Sequence, residues 1–306
     1  MTAMDTISGG GRRIKASRED RVFYTVIYII VGIVCLLMLY PLIYILSSSF
    51  SSATAVSTGK VVLWPVDFSL EGYKSVFENP NVWTGYRNTL LYTVFGTLTN
   101  VSMTLIAAYP LARRKLPYKG ILMFLFTFTM IFNGGMMPNF ILMRDLNILN
   151  KVWVMLLPGA ISAYNMIITR TFIMNSIPEE MLEASQIDGC NDFHYFFKMV
   201  LPLSKAVIAV ITLYYAVGHW NAYFDAFLYL NKKELFPLQL FLREILIMNS
   251  IDPGQISDPE LLAAKQGLAN LLKYSLIVVA TVPILCLYPF VQKYFIQGVM
   301  IGSIKG

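Results

Sequence analysis

The stretch VFYTVIYIIVGIVCLLMLYPLIYIL, Val22 to Leu46, contains no Lys, Arg, Asp or Glu. A helix crosses the hydrocarbon core of a bilayer in about 20 residues, so this run is long enough to span it. A basic segment with Arg12, Arg13, Lys15, Arg18 and Arg21 precedes it. The apolar run is too long for the core of a cleaved signal peptide and reads as a retained first span. Five further stretches qualify: Asn88–Ala112, Gly120–Met143, Val152–Thr169, Ala206–Tyr229 and Tyr274–Gln292. Of the six, only the fifth contains a charge, Asp225 near its far end. One such run would also suit a buried core helix, but six in one chain argue for lipid. Charged residues are 14% of the chain, against about a quarter in a soluble domain. The expected fold is therefore all-α: a polytopic membrane domain of about six transmembrane helices over residues 22–306, behind a tail over residues 1–21.

The net charge of +6 is informative through its distribution and gives no reason to expect a nucleic-acid partner. Short basic loops mark the cytoplasmic side. The N-terminal tail is one. The tight loop with Arg113, Arg114, Lys115 and Lys119 between spans two and three is another. Both fall on the same side if six spans alternate, which puts both termini in the cytoplasm. Ser47 to Arg87 is then external, with Trp64, Trp83 and Tyr86 suited to a membrane interface. Asn133-Gly134-Gly135, followed by Pro138, interrupts span three. Bare backbone at membrane depth is tolerated only where protein or water covers it. The break lies either there or at the outer interface; the second placement is preferred and makes Asn139 to Met155 external.

The loop between spans four and five breaks the charge rule. From Thr171 to Phe197 it holds Glu179, Glu180, Glu183, Asp188 and Asp192 and no Lys or Arg. Ser176-Ile177-Pro178-Glu179 has the form of a capping box, with Pro in the first turn. A helix continues to Asp188, and Gly189 is placed to end it in a left-handed conformation. Asn191 is placed to cap a second short helix, which Leu201-Pro202 would end. Positions 181, 184, 185 and 188 share one face, and Ala184 and Ser185 are small enough to let a partner approach. A solvated surface hairpin is the plainer alternative.

The run EASQIDGC, with MVLP beginning ten residues after Gly189, resembles the EAA motif of ATP-binding-cassette (ABC) importer permeases, E-A-A-x-x-x-G-x(9)-I-x-L-P. Glu183, Ala184, Ser185 and Gly189 fall on its first half, and Met199, Leu201 and Pro202 on its second. Ser185 and Met199 depart mildly from its Ala and Ile. Together with the six-span plan, external KVVLWPVDFSLEGYKSVF, GHWN in span five and terminal IGSIKG, the chain resembles the carbohydrate-uptake permeases. The nearest branch is the LplC-like one, in the superfamily of the second permease of the maltose importer. The resemblance implies a type I importer transmembrane fold with a coupling loop over about residues 175–203. It also implies a second permease, two copies of an ATPase holding ATP and Mg, an extracytoplasmic binding protein that delivers a sugar, and membrane lipid. Glu183, Ala184, Ser185, Asp188 and Gly189 would couple this chain to the ATPase.

The chain has no phosphate-binding loop of its own: Gly59-Lys60 is followed by Val and lacks the earlier glycine. ISGGG at residues 7–11 is only superficially like an ABC signature. Cys35, Cys190 and Cys286 are far apart and odd in number, so they make no disulfide framework, and no His, Cys or carboxylate spacing suggests a metal site. No catalytic residue or cofactor is expected. Polar residues at membrane depth are costly and usually face a bundle interior. Trp220, Asn221 and Tyr223 at the end of span five, and Asn165 in span four, are thus candidates for a sugar pathway. The competing reading makes Trp220 and Tyr223 an interfacial belt and Asn221 a tie between helices. His219 reads as structural rather than as a proton relay. LFPLQLFLREILI, within the external stretch Asn231–Lys273, has the apolar spacing of an amphipathic surface helix. An ion-coupled secondary transporter would need charged residues within the spans and often paired repeats; only Asp225 offers one. A membrane enzyme would need a nucleophile or metal set.

Overall fold

The computed structural model describes residues 17–248 and 267–286. Residues 1–16 of the N-terminal tail with ISGGG, the end of the sixth expected span, the terminal IGSIKG and part of the external stretch Asn231–Lys273 lie outside the described residues. Regular structure among those described is helical throughout. The chain falls into two compact units, residues 1–73 with 252–278 and residues 74–251 with 279–306.

In the first unit α1 (Arg18–Ser49) starts on a capping box. Ser17 Oγ accepts from the Asp20 amide at 3.1 Å, and the Asp20 carboxylate accepts from the Ser17 amide at 3.0 Å. At 1.5 Å per residue α1 is about 48 Å long, enough to cross a bilayer core of about 30 Å with length to spare. Its most apolar window has none of its residues buried, as suits a surface covered by lipid or another subunit. Its end is buried in hydroxyls: Ser47 Oγ donates to the Leu63 carbonyl at 2.6 Å, and Ser51 Oγ donates to the Ser47 carbonyl at 2.7 Å. The short α2 (Ala53–Ser57) follows and packs Ala55 and Val56 with Val61 beside Tyr44 and Tyr274. Next comes α3 (Glu71–Glu78).

The second unit is organised around α4 (Pro80–Ala112), capped by Asn79 and opened by Pro80 in the first turn. Its buried positions include Asn88, Tyr92, Gly96, Asn100, Thr104 and Ala108, a stripe repeating every four residues. Then come α5 (Lys119–Ile131), α6 (Met136–Asp145), α7 (Trp153–Leu156) and α8 (Ala163–Ser176). The chain continues through α9 (Glu179–Ile187), α10 (Asp192–Tyr195), a π-helical turn (Phe196–Val200) and α11 (Leu201–Leu203). The longer α12 (Lys205–Trp220) leads to α13 (Phe224–Tyr229) and α14 (Leu238–Met248). The last described helix, α15, is Gly267–Cys286.

Three helices, α1, α4 and α15, are long and apolar enough to cross a membrane, and two bent pairs raise the number to at most five among the described residues. Expected span three is the pair α5 and α6, bent by 115° where Gly135 takes φ +89°. Span five is joined to the preceding helix by a 79° bend and stops at Trp220, short of the expected Tyr229. Span four departs most from expectation. Val152–Thr169 is not one helix: α7 ends at Leu156 and α8 begins at Ala163. Pro158 has no amide hydrogen to continue the ladder, and Gly159 turns the chain at φ +68°.

The stripe on α4 holds these interruptions in place. Asn100 Nδ2 donates to the Gly159 carbonyl at 3.0 Å, and His219 Nε2 donates to Asn100 Oδ1 at 3.1 Å. The Tyr215 hydroxyl accepts from the Ser162 amide at 3.0 Å and lies 2.7 Å from Thr104 Oγ1. Nearer its start, Asn88 and Tyr92 donate to the carbonyls of Glu234, Leu235 and Phe236, and Thr89 accepts from the Leu238 amide. Irregular backbone is thereby given partners inside the protein. Gly96 makes the close approach possible, since a Cβ there would lie 2.4 Å from the His219 ring.

Candidate functional site

The acidic loop folds as a helical hairpin with two local differences from expectation. Ser176 is not a cap. It is the last residue of α8, where the Ile177 amide donates to the Ile173 carbonyl at 3.1 Å, and its hydroxyl is buried without a partner. Pro178, in extended conformation, is the N-cap of α9 with no side-chain bond. A residue still bound into one helix cannot adopt the extended cap geometry of the next. Leu201-Pro202 does not end the second helix either: the π turn carries it through to Leu203, absorbing the hydrogen bond that Pro202 cannot make. The other two signals act as read. Gly189 sits at φ +77°, with the Cys190 amide donating to the Ser185 carbonyl at 2.9 Å. Asn191 Oδ1 accepts from the His194 amide at 2.7 Å, capping α10.

The face of α9 divides differently from expectation. Ser185 is buried, its hydroxyl bonded to the Leu182 carbonyl at 2.7 Å, so it faces the chain's own body rather than a partner. Met181 and Leu182 join it against Tyr109, Ile177 and Tyr195. Helical geometry decides this: 185 lies one turn after 181 and 182, on the inner side. Glu183, Ala184 and Asp188 are exposed, together with Ile187 and Phe193, at 87% and 78% exposure. The hairpin therefore presents a small residue and several acids, with bare apolar side chains among which Ile187 and Phe193 are the most exposed.

Three of its five acids are answered by the basic loop that the sequence placed on the same side. Arg113 pairs with Asp192 at 2.9 Å, Arg114 with Glu179 at 2.9 Å and Lys115 with Glu183 at 3.9 Å. Arg113 also lies over the Tyr109 ring at 4.7 Å and donates to its hydroxyl. A cleft of about 170 Å³ opens beneath α9, lined by Tyr109, Arg113, Pro178, Glu179 and Tyr195 among others. The sequence reading missed this pairing, although the opposite charges of two loops assigned to one side were its signal.

The pathway candidates separate. Trp220 is 3% exposed and its indole donates to the Ala280 carbonyl at 3.0 Å. Tyr86 donates to the neighbouring Val279 carbonyl at 2.5 Å. Pro283 lies four residues after Val279 in α15 and cannot supply the helical bond to it, so Tyr86 provides the missing donor. Trp220 is thus taken up by packing and by the backbone of α15. Asn165 is also buried, near the start of α8. Asn221 and Tyr223 remain exposed. Asn221 Nδ2 donates to the Val217 carbonyl at 2.9 Å, closing the end of α12. The structure does not bring the four together as one site.

Residues 82–301 match the family described as "Binding-protein-dependent transport system inner membrane component". The chain belongs to this family. Among its relatives, the polygalacturonan/rhamnogalacturonan transport system permease protein YtcP of Bacillus subtilis (strain 168) is 40% identical, over 94% of this chain and 100% of that protein. Protein LplC of the same organism is 37% identical, over 95% and 97% of the two chains. A solved chain from a bacterial ABC transporter involved in the import of the acidic polysaccharide alginate superposes with a TM-score of 0.83 and 37% identity, over 92% of this chain and 99% of that one. The chain is a multi-pass ABC importer permease with the type I transmembrane fold. Nothing supports the ion-coupled alternative.

Proposed function

We propose that this permease forms, with a second permease, the membrane pathway for an acidic oligosaccharide delivered by an extracytoplasmic binding protein, and that α9 couples the pathway to a separate ATPase. The substrate class rests on the likeness to proteins named for polygalacturonan, rhamnogalacturonan and alginate transport. The observation that carries the coupling role is the division of α9 into a fastened inner side and an open outer side. Met181 and Leu182 pack it against residues of α4, α8 and α10. Glu183, Ala184, Ile187, Asp188 and Phe193 face outward on the side of the basic loop. A rigid helix held this way transmits a push from a docked partner to α4, α8 and α10 without bending.

ATP and Mg belong to that partner, and this chain needs no cofactor of its own. Both termini lie with α9 in the cytoplasm. Asn221 and Tyr223 face the pathway, whereas Trp220 and Asn165 act through packing. The test is uptake into proteoliposomes holding both permeases and the ATPase, with the binding protein added outside. Uptake of oligogalacturonides that requires internal ATP and the binding protein is expected. Uptake driven by an ion gradient without ATP would contradict the reading.

A further inference from the structure

Beyond the end of α12, side chains from α13 and α14 meet on an exposed face of the second unit. The guanidinium carbon of Arg243 lies 4.4 Å from the ring centroid of Phe227 and 5.8 Å from that of Tyr223. Those two aromatics are four residues apart and present neighbouring surfaces to it. They remain 52% and 40% exposed. One turn before Arg243, the Gln239 amide donates to Asn221 Oδ1 at 3.4 Å. Among the described residues, no carboxylate lies within 4.0 Å of the Arg243 nitrogens. Asp225 is two residues from both aromatics, about 200° around the helix, and does not oppose the group.

A guanidinium stacked on a ring gives up its face and keeps its edge. That edge carries parallel N–H donors whose spacing fits a carboxylate. Left against lipid, the charge would be costly, so this face has to meet something polar. The exposed Tyr223 ring offers a flat apolar surface beside it. The Asn221–Gln239 contact is long for an N–H···O bond and is readily exchanged for hydroxyl partners.

We infer that Arg243, Tyr223, Asn221 and Gln239 form a subsite that selects a carboxylated sugar unit over a neutral one, at the end of the pathway away from α9. The inference rests on the reading of this chain as a sugar-importer permease. Arg243 takes the carboxylate, Tyr223 stacks on the C–H face of the same ring, and the two amides take its hydroxyls.

The test uses the assembled complex in proteoliposomes with Arg243→Gln and Arg243→Lys. The probes are oligogalacturonides, alginate oligomers, fully methyl-esterified oligogalacturonides and neutral malto-oligosaccharides. Arg243→Gln is expected to raise KM for the acidic oligomers at least tenfold and to change it less than twofold for the esterified ones. Arg243→Lys should fall between. A variant that assembles fully and loses acidic and esterified uptake equally would overturn the carboxylate role. ATP-driven import of neutral sugars alone, unchanged by Arg243→Gln, would overturn the subsite and leave the importer standing. Absence of ATP-driven uptake for every probe would remove the sugar-importer reading and the subsite with it.

Discussion

The hairpin from Pro178 to Leu203 and the turn from Trp220 to Phe227 lie at opposite ends of α12, and both place polar and aromatic groups outside a regular span. At the hairpin, the elements that fix the geometry are neighbours in sequence: Gly189 at φ +77° and the Asn191 cap on His194. At the turn, Trp220 is bound to a carbonyl 60 residues away and His219 to an asparagine 119 residues away. Local geometry can be read from spacing. Long-range partners cannot, and spacing gives no sign that the Trp220 indole donates to the backbone of α15.

The comparison can be broken first at Gly189. Open space surrounds the position a Cβ would take, so the barrier to substitution is the backbone conformation alone. Left-handed backbone costs an ordinary residue roughly 1–2 kcal/mol, and a β-branched one is a true outlier there. Gly189→Val should reduce ATP-dependent uptake at least tenfold by misdirecting α10, while Gly189→Asn, tolerant of that conformation, should stay within threefold. Equal loss in both would mean that something other than the turn is at stake.

Gly96 tests the opposite case, where space is the constraint. Its Cβ would collide with His219. Overpacking costs about 1–3 kcal/mol, so Gly96→Val should lower the melting temperature of the purified complex in detergent by several degrees. An unchanged melting temperature would show that α4 and α12 do not depend on this contact.

A smaller effect is expected at the turn. Trp220→Phe keeps most of the ring and removes the donor to Ala280, a loss of about 1 kcal/mol. Stability should fall slightly, with KM for sugar unchanged. Tyr223→Ala should do the reverse, raising KM with little loss of stability. A raised KM in a stable Trp220→Phe complex would return Trp220 to the pathway.

The smallest effect belongs to Lys115 and Glu183, whose side chains are 86% and 59% exposed at 3.9 Å. Exposed pairs contribute about 0–1 kcal/mol, so Lys115→Gln should barely move stability in salt titrations. A large destabilisation at low salt would mean that the basic loop holds the hairpin in place.

How much of this was legible follows the same division. The long apolar runs of α1 and α4, the break at Asn133-Gly134-Gly135 and the turn at Gly189 are each written within a few residues. The interrupted fourth span was hidden because Pro158-Gly159 sits among apolar neighbours, and hydropathy does not register a missing amide hydrogen. The burial of Ser185 was missed because small size alone does not say whether a face turns inward or outward. The four-residue rhythm of Asn88, Tyr92, Gly96, Asn100 and Thr104 was present in the sequence, and its partners were not.

The coupling role of α9 is tested most directly at Ala184, which is exposed and next to the buried Ser185. An arginine there disturbs nothing within the chain and blocks close approach by a partner. In purified complexes, Ala184→Arg should insert and melt as the wild type does, while ATPase stimulation by sugar-loaded binding protein is lost or the ATPase no longer co-purifies. Full stimulation at full stoichiometry in Ala184→Arg would contradict the assignment of α9 as the coupling helix.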